Sequence, residues 1–225
     1  MLAAASNPTS DSRTSLAALC KVYWGPIYAF IRRNGYDSDQ SQDLTQAFFV
    51  AMLEKNYLGD ADRERGRFRT FLLSSVKHFL ANERDKAHAL KRGGGRIVVP
   101  IDPVEAEGWY GSEAVEQRTP ENLFQRRWAL SLLERVMEKL AVEWARMGKS
   151  DYFAKLSPLL EGDPAAHRYD VLGAELGASA GALRVAVHRM RRRYRDLLRS
   201  EIAATVSTPE EIDEEIRFLL STLRV

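Results

Sequence analysis

At 225 residues, with 45% hydrophobic and 28% charged side chains, the chain has the make-up of an ordinary globular protein and length for one large domain or two small ones. Its formal net charge of +2 is nearly balanced, and no apolar run approaches the length of a membrane span. A single cysteine, Cys20, excludes an internal disulfide, and Met1 to Ser12 lacks the basic start and long apolar core of a secretory signal, so a cytoplasmic protein without membrane insertion is expected.

The first helix carries Leu16, Leu19, Cys20, Tyr23, Ile27, Phe30 and Ile31 at helical period and stops at Asn34-Gly35. Cys20 on that stripe reads as a buried thiol, and Pro26 is expected to kink or divide the helix. Ser38 or Asp39 caps a second helix, with Asp39 and Gln42 at capping-box spacing and Leu44, Ala47, Phe48, Ala51 and Met52 as its buried stripe. Its other side, Asp43, Gln46, Phe49, Val50 and Leu53, mixes acid, amide and apolar groups. Two readings stand level there: a partner surface, or Phe49 and Leu53 packed on a neighbouring helix.

A charged loop over residues 56–66 precedes a third helix from about Phe68 to Lys91. Phe68, Phe71, Leu72, Ser75, Val76, Phe79 and Leu80 form its apolar face, bordered by Arg67, Arg69, Lys77, His78, Arg84, Lys86, Lys91 and Arg92. Cations interleaved with aromatics are the composition of a single-strand platform, but the phenylalanines read as core and the cations carry the signal. Residues 93–120, with three consecutive glycines and scattered prolines, read as a linker. Periodicity resumes at Glu121 on a long helix through Leu123, Phe124, Trp128, Leu132, Leu133, Val136, Met137 and Leu140, stopping at Gly148.

After a shorter helix over residues 152–160, the stretch 169–198 has helix-turn-helix punctuation. Leu172 and Leu176 edge the first helix, Gly177 supplies the turn and Ser179 the N-cap of the second. In that second helix Leu183, Val187, Met190, Tyr194 and Leu197 share a buried stripe opposite Arg184, His188, Arg191, Arg192, Arg195 and Arg199. An arginine run is often only a solvated face. Here the small residues Ser179, Ala180, Gly181 and Ala182 let the backbone approach a groove floor, and the excess of arginine over the single Asp196 favours DNA. Thr208, Pro209 and Glu211 then punctuate a last helix to about Leu223, whose face of Ile212, Ile216, Leu219, Leu220 and Leu223 is expected to pack on its own domain.

No catalytic constellation stands out. His78, His88, His167 and His188 lack metal-ligand spacing and no phosphate-cradling glycine loop is present, so no catalytic residue, cofactor or metal is expected. The expected fold class is all-α: two small helical domains over 1–92 and 121–206, a flexible linker over 93–120, and a C-terminal helical extension over 207–225.

Asp43-Leu44-Thr45-Gln46-Ala47-Phe48-Phe49, Phe68-Arg69-Thr70-Phe71-Leu72, and Leu176-Gly177 through Val187-His188-Arg189-Met190-Arg191 resemble, in order and spacing, an RNA polymerase sigma factor of the extracytoplasmic-function type. The resemblance spans most of the chain. It implies a region 2 that binds the polymerase β′ clamp helices and opens the promoter -10 element, and a region 4 that reads the -35 element and binds the β flap. On that resemblance the core-polymerase surface is Asp43, Leu44, Gln46, Phe49, Val50 and Leu53. The opened -10 strand falls to Arg67, Arg69, Lys77, His78, Asn82 and Arg84, beside a specificity loop at 56–67. The -35 duplex falls to Ser179, Gly181, Ala182, Arg184, Val185, His188, Arg189, Arg191 and Arg192. Linker 93–120 would pass through the active-centre channel, and an anti-sigma factor or the chain's own C-terminal helix are the candidate regulators.

Two departures stand out. The stretch between Leu140 and Tyr169 is longer than a minimal region 4, and Ala182 and Val185 occupy positions where the family commonly has a hydroxyl. The rival is a helix-turn-helix regulator that binds duplex DNA without polymerase, which leaves the Asp43 to Leu53 surface unexplained.

Overall fold

The computed structural model describes residues 10–54, 67–89, 118–160, 162 and 166–224; the side chains of 10–21, 53–54, 87–89 and 166–167 are outside the description. The expected loop 56–66, nearly all of the linker, Lys91, Arg92 and the Cys20 thiol therefore lie outside it. The described residues are helical without a strand: α1 (Ser10–Arg33), α2 (Ser38–Glu54), α3 (Phe68–Ala89), α4 (Pro120–Arg146), α5 (Ser150–Leu156) with a 3-10 turn (Ser157–Leu160), α6 (Ala166–Leu176), α7 (Ala180–Ala203) and α8 (Glu210–Leu223). None of them is long and apolar enough to cross a membrane.

Pro26 does not divide α1, which is one continuous helix. Residues 22–31 are buried on every side of it, and that burial outweighs the single backbone hydrogen bond that proline removes. The stop comes where the sequence places it: Gly35 takes a φ of 93°, and the Asn34 side-chain amide donates to the Phe30 carbonyl at 2.8 Å.

Contacts divide the chain into two compact units, Met1–Ser131 with Ile202–Val225, and Leu132–Glu201. The first therefore takes in the start of α4 and the C-terminal helix, both of which the sequence assigned elsewhere. Leu123, Phe124 and Trp128 are buried there, the Trp128 indole N–H donates to the Tyr23 hydroxyl at 3.3 Å, and Arg33 donates to the Arg118 carbonyl at 2.8 Å. The core adds Tyr23, Trp24, Ile27, Tyr28, Phe30 and Ile31 of α1, Phe48 and Met52 of α2, and Phe68, Leu72, Val76 and Leu80 of α3.

Helix α8 starts with only half of the expected capping box: Pro209, not Thr208, is the N-cap residue and no side chain caps the helix, while the Glu211 carboxylate accepts from the backbone N–H groups of Ser207 at 2.8 Å and Thr208 at 3.1 Å. Its inner face differs from the expected one. Leu220 is 47% exposed, and the centre of the buried stripe is Glu215 together with Leu219. Glu215 lies inside because the first unit offers it a guanidinium, so the helix turns its acid and not its full leucine edge inward.

The second unit is built on Leu132, Val136 and Leu140 of α4, with Leu156, Leu159 and Tyr169 against the Leu183, Val187, Met190 and Leu197 stripe of α7. Helix α4 ends at Gly148, at φ 68°, with Lys149 N–H bonded to the Trp144 carbonyl at 2.9 Å. Gly177 turns the chain between α6 and α7 at φ 64°, and Ala178 N–H closes on the Gly173 carbonyl at 3.0 Å. A Cβ on Gly173 would stand 2.6 Å from the Ala178 carbonyl oxygen. Gly173 is thus a second indispensable glycine of this turn. Gly173→Ala should destabilise the chain by about 1–3 kcal/mol in chemical denaturation, whereas Gly181→Ala, in open helical space, should stabilise it by about 0.5–1 kcal/mol.

Candidate nucleic-acid and partner surfaces

On α7 the expected -35 residues are presented outward with one exception. Ser179 caps the helix through its side-chain oxygen, which accepts from Ala182 N–H at 3.2 Å. Ser179, Gly181, Ala182, Arg184, Val185, His188, Arg189 and Arg192 are all exposed, Val185 at 51%, and the Arg184 guanidinium lies 5.2 Å from the Tyr169 ring centre. The exception is Arg191. It turns back and donates to the carbonyls of Leu159, at 2.7 Å, and Gly162. Two backbone acceptors at the end of the 3-10 turn outcompete solvent for this side chain, which makes Arg191 a structural clamp.

Arg193 is also engaged, in a bidentate pair with Glu143 at 2.6 and 2.8 Å. The hydrogen bond from Arg193 holds the Glu143 carboxyl below its ordinary value, against a smaller opposing effect of desolvation. Glu201, at the far end of α7, accepts from Arg135 at 2.8 Å and from Lys139. The outward face of this helix therefore includes the exposed arginines Arg184, Arg189, Arg192 and Arg195, with His188 among them.

On α2 the two faces are distributed differently from the sequence expectation. Phe49, expected in the partner surface, is 5% exposed and edge-on to Phe48 at 5.7 Å, while Ala47, expected inside, is exposed. The buried stripe is Ser41, Thr45, Phe48, Phe49 and Met52, with the Thr45 hydroxyl bonded to the Ser41 carbonyl at 2.6 Å. Period alone prefers leucine and alanine inside, but two aromatic rings bury more area than Leu44 and Ala47 would. Asp43 is exposed, Leu44, Gln46 and Val50 are half-buried, and the Leu53 side chain lies outside the described residues.

Along α3, Lys77, His78, Asn82 and Arg84 are exposed, and His78 and Asn82 line a cavity of about 100 Å³ with Phe48, Met52, Ser75 and Phe79. Lys77 pairs with Glu121 at 2.6 Å and lowers the pKa of that carboxyl, and Arg84 donates to the Tyr36 hydroxyl at 3.1 Å. Arg67 and Arg69 do not lie on an open strand-binding surface. Arg69 is 7% exposed and donates twice to Glu215, while Arg67 pairs with Glu214 at 2.7 Å and Glu215 at 3.2 Å. Buried guanidinium needs a buried anion, and α8 supplies it. Glu215, with Phe218 and Trp128 around the Arg69 guanidinium, was not singled out from sequence. Its signal was an acid in line with Leu219, one turn on, within an otherwise apolar stripe.

Among the described residues no group of three or more His, Cys, Asp or Glu side chains could hold a metal ion. Comparison with family models, with curated proteins and with solved structures finds no match.

Arg191→Ala should lower the unfolding free energy by about 1–3 kcal/mol, because two carbonyls lose a charged donor. Arg192→Ala on the exposed face should change it by less than about 0.5 kcal/mol. Glu143, whose pKa is depressed in the folded chain, contributes stability that is complete above its ordinary value of 4.5 and is lost as pH falls through the depressed value. Thermal unfolding followed between mildly acidic and strongly acidic pH should therefore show a smaller acid loss in Glu143→Gln than in the unaltered chain.

Proposed function

We propose that this chain is a transcription initiation factor of the extracytoplasmic-function sigma type, acting in the cytoplasm. In this reading it docks on core RNA polymerase through α2, captures the opened -10 strand along α3, and reads the -35 duplex with α7. The observation that carries the reading is α7 itself: a capped helix that starts with small exposed residues and presents Arg184, His188, Arg189 and Arg192 on one outward face. A helix of this kind places its first turns in a major groove and its later arginines along phosphates.

The exposure of Asp43 beside half-buried Leu44, Gln46 and Val50 supports a docking patch narrower than expected, with Phe49 removed from it. The charge of Asp43 sets register on a basic coiled coil such as the β′ clamp helices, and the apolar neighbours supply contact area. Capture of an extruded base falls to the exposed Lys77, His78 and Asn82 region of α3, where contacts must offset an unstacking cost of a few kcal/mol. The β flap is assigned to the second unit and the active-centre channel to linker 93–120.

Promoter duplex binding should be weak for the chain alone and about tenfold or more stronger once core polymerase is added. Asp43→Ala with Leu44→Ala should remove that gain without changing binding by the chain alone. Arg184→Ala and Arg189→Ala should each cost about 1–3 kcal/mol where the side chain meets a base, and shallow the salt dependence where it meets a phosphate. Anisotropy titrations with and without core enzyme read both effects. Tight, core-independent binding to a palindromic duplex would replace this reading with that of an autonomous regulator.

A further inference from the structure

The start of α3 and the inner face of α8 meet in one compact arrangement. Arg69 donates through two nitrogens to the carboxylate of Glu215, and its guanidinium carbon lies 3.7 Å from the Phe218 ring centre and 5.3 Å from that of Trp128. Arg67 reaches Glu214 and Glu215 beside it. A guanidinium pair holding two anionic groups, with an aromatic ring stacked on one, is also how arginines hold a nucleic-acid strand: a phosphate takes the place of a carboxylate, and a base that of the ring. We infer that Arg67 and Arg69 form a strand-phosphate site that α8 occupies with Glu214, Glu215 and Phe218, and that nucleic acid binds there only when α8 swings away. This inference rests on the functional reading above, and names the regulation of its -10 surface.

The attachment of α8 suits an occupant that leaves. Ile212, Ile216 and Leu223 are only half-buried, Leu220 is exposed, and the most deeply buried position besides Leu219 is the charged Glu215. A buried ion pair holds less firmly than apolar groups of the same shape, and a helix of 14 residues is marginal on its own. The Arg67 and Glu214 side chains are 27% and 57% exposed, so an incoming polyanion has a place to begin the exchange. The segment before α8 stays anchored, since Phe68 N–H donates to the Thr205 carbonyl at 3.0 Å, and the helix can therefore leave from a fixed base. Loss of α8 without a replacement would strand Arg69 unpaired, which keeps the site closed until a competing anion arrives.

The deciding measurement is hydrogen exchange of the full chain with and without a saturating single-stranded DNA oligonucleotide. The α8 amides should lose protection when DNA is bound; unchanged α8 protection in the complex overturns the inference. In parallel, anisotropy with the same oligonucleotide should show affinity rising about tenfold or more on removal of residues 209–225, with the salt slope steeper by about 1.4 for two phosphates at about 0.7 each. Glu214→Gln with Glu215→Gln should reproduce the gain in a full-length chain, and decides the matter if the truncated chain loses its cooperative thermal melt. Adding Arg67→Ala and Arg69→Ala to the truncated chain should abolish the gain, and a gain that survives assigns the contact to other residues and overturns the site. None of these readouts uses polymerase. A chain that opens for DNA yet never initiates transcription would remove the functional reading alone, and one that initiates with α8 held in place would remove this inference alone.

Discussion

The buried pair of Arg69 with Glu215 ties together elements that lie far apart in sequence. It draws α8 onto the start of α3, places Phe218 and Trp128 around one guanidinium, and so ties the end of the chain to the first unit. Removing one partner of such a pair typically costs about 3–5 kcal/mol, because the other is left charged and dry. The requirement that each buried charge keep its counter-charge explains why α8 turns an acid inward at the expense of Leu220, and why the cations before and within the first turn of α3 face the chain's own carboxylates.

The same rule divides the arginines of α7. Arg191 satisfies backbone carbonyls and Arg193 satisfies Glu143, so both hold the second unit in shape. The residues that remain on the outward face begin at the capped end of the helix and continue past His188 to Arg195. A count of arginines overstates the cationic surface that α7 leaves exposed, and the geometry of their partners sorts the clamping side chains from the exposed ones.

The helical class, the α1 and α4 stops at Gly35 and Gly148, the Gly177 turn and the inward reach of the Glu211 carboxylate at the start of α8 were all legible, since each depends on residues within one or two turns. What local pattern could not carry was choice among partners at a distance. Arg69 and Glu215 are separated by most of the chain, and period assigns neither a mate. On α2 the 3.6-residue repeat allows two nearly equivalent stripes, and the choice of Phe49 over Ala47 for the interior depends on the rings available from neighbouring helices. The need for Gly173 is likewise set at a distance from local pattern, because the path of the Ala178 carbonyl leaves room for a hydrogen but not for a side chain.

The central claim, that α2, α3 and α7 work together on polymerase and promoter, meets its most direct test in run-off transcription. Purified core RNA polymerase and this chain would be given a library of promoter templates and the transcripts sequenced. The account predicts transcripts that depend on the chain and arise from templates sharing two short elements at fixed spacing. Absence of chain-dependent transcripts, with sequence-specific duplex binding by the chain alone intact, would contradict it.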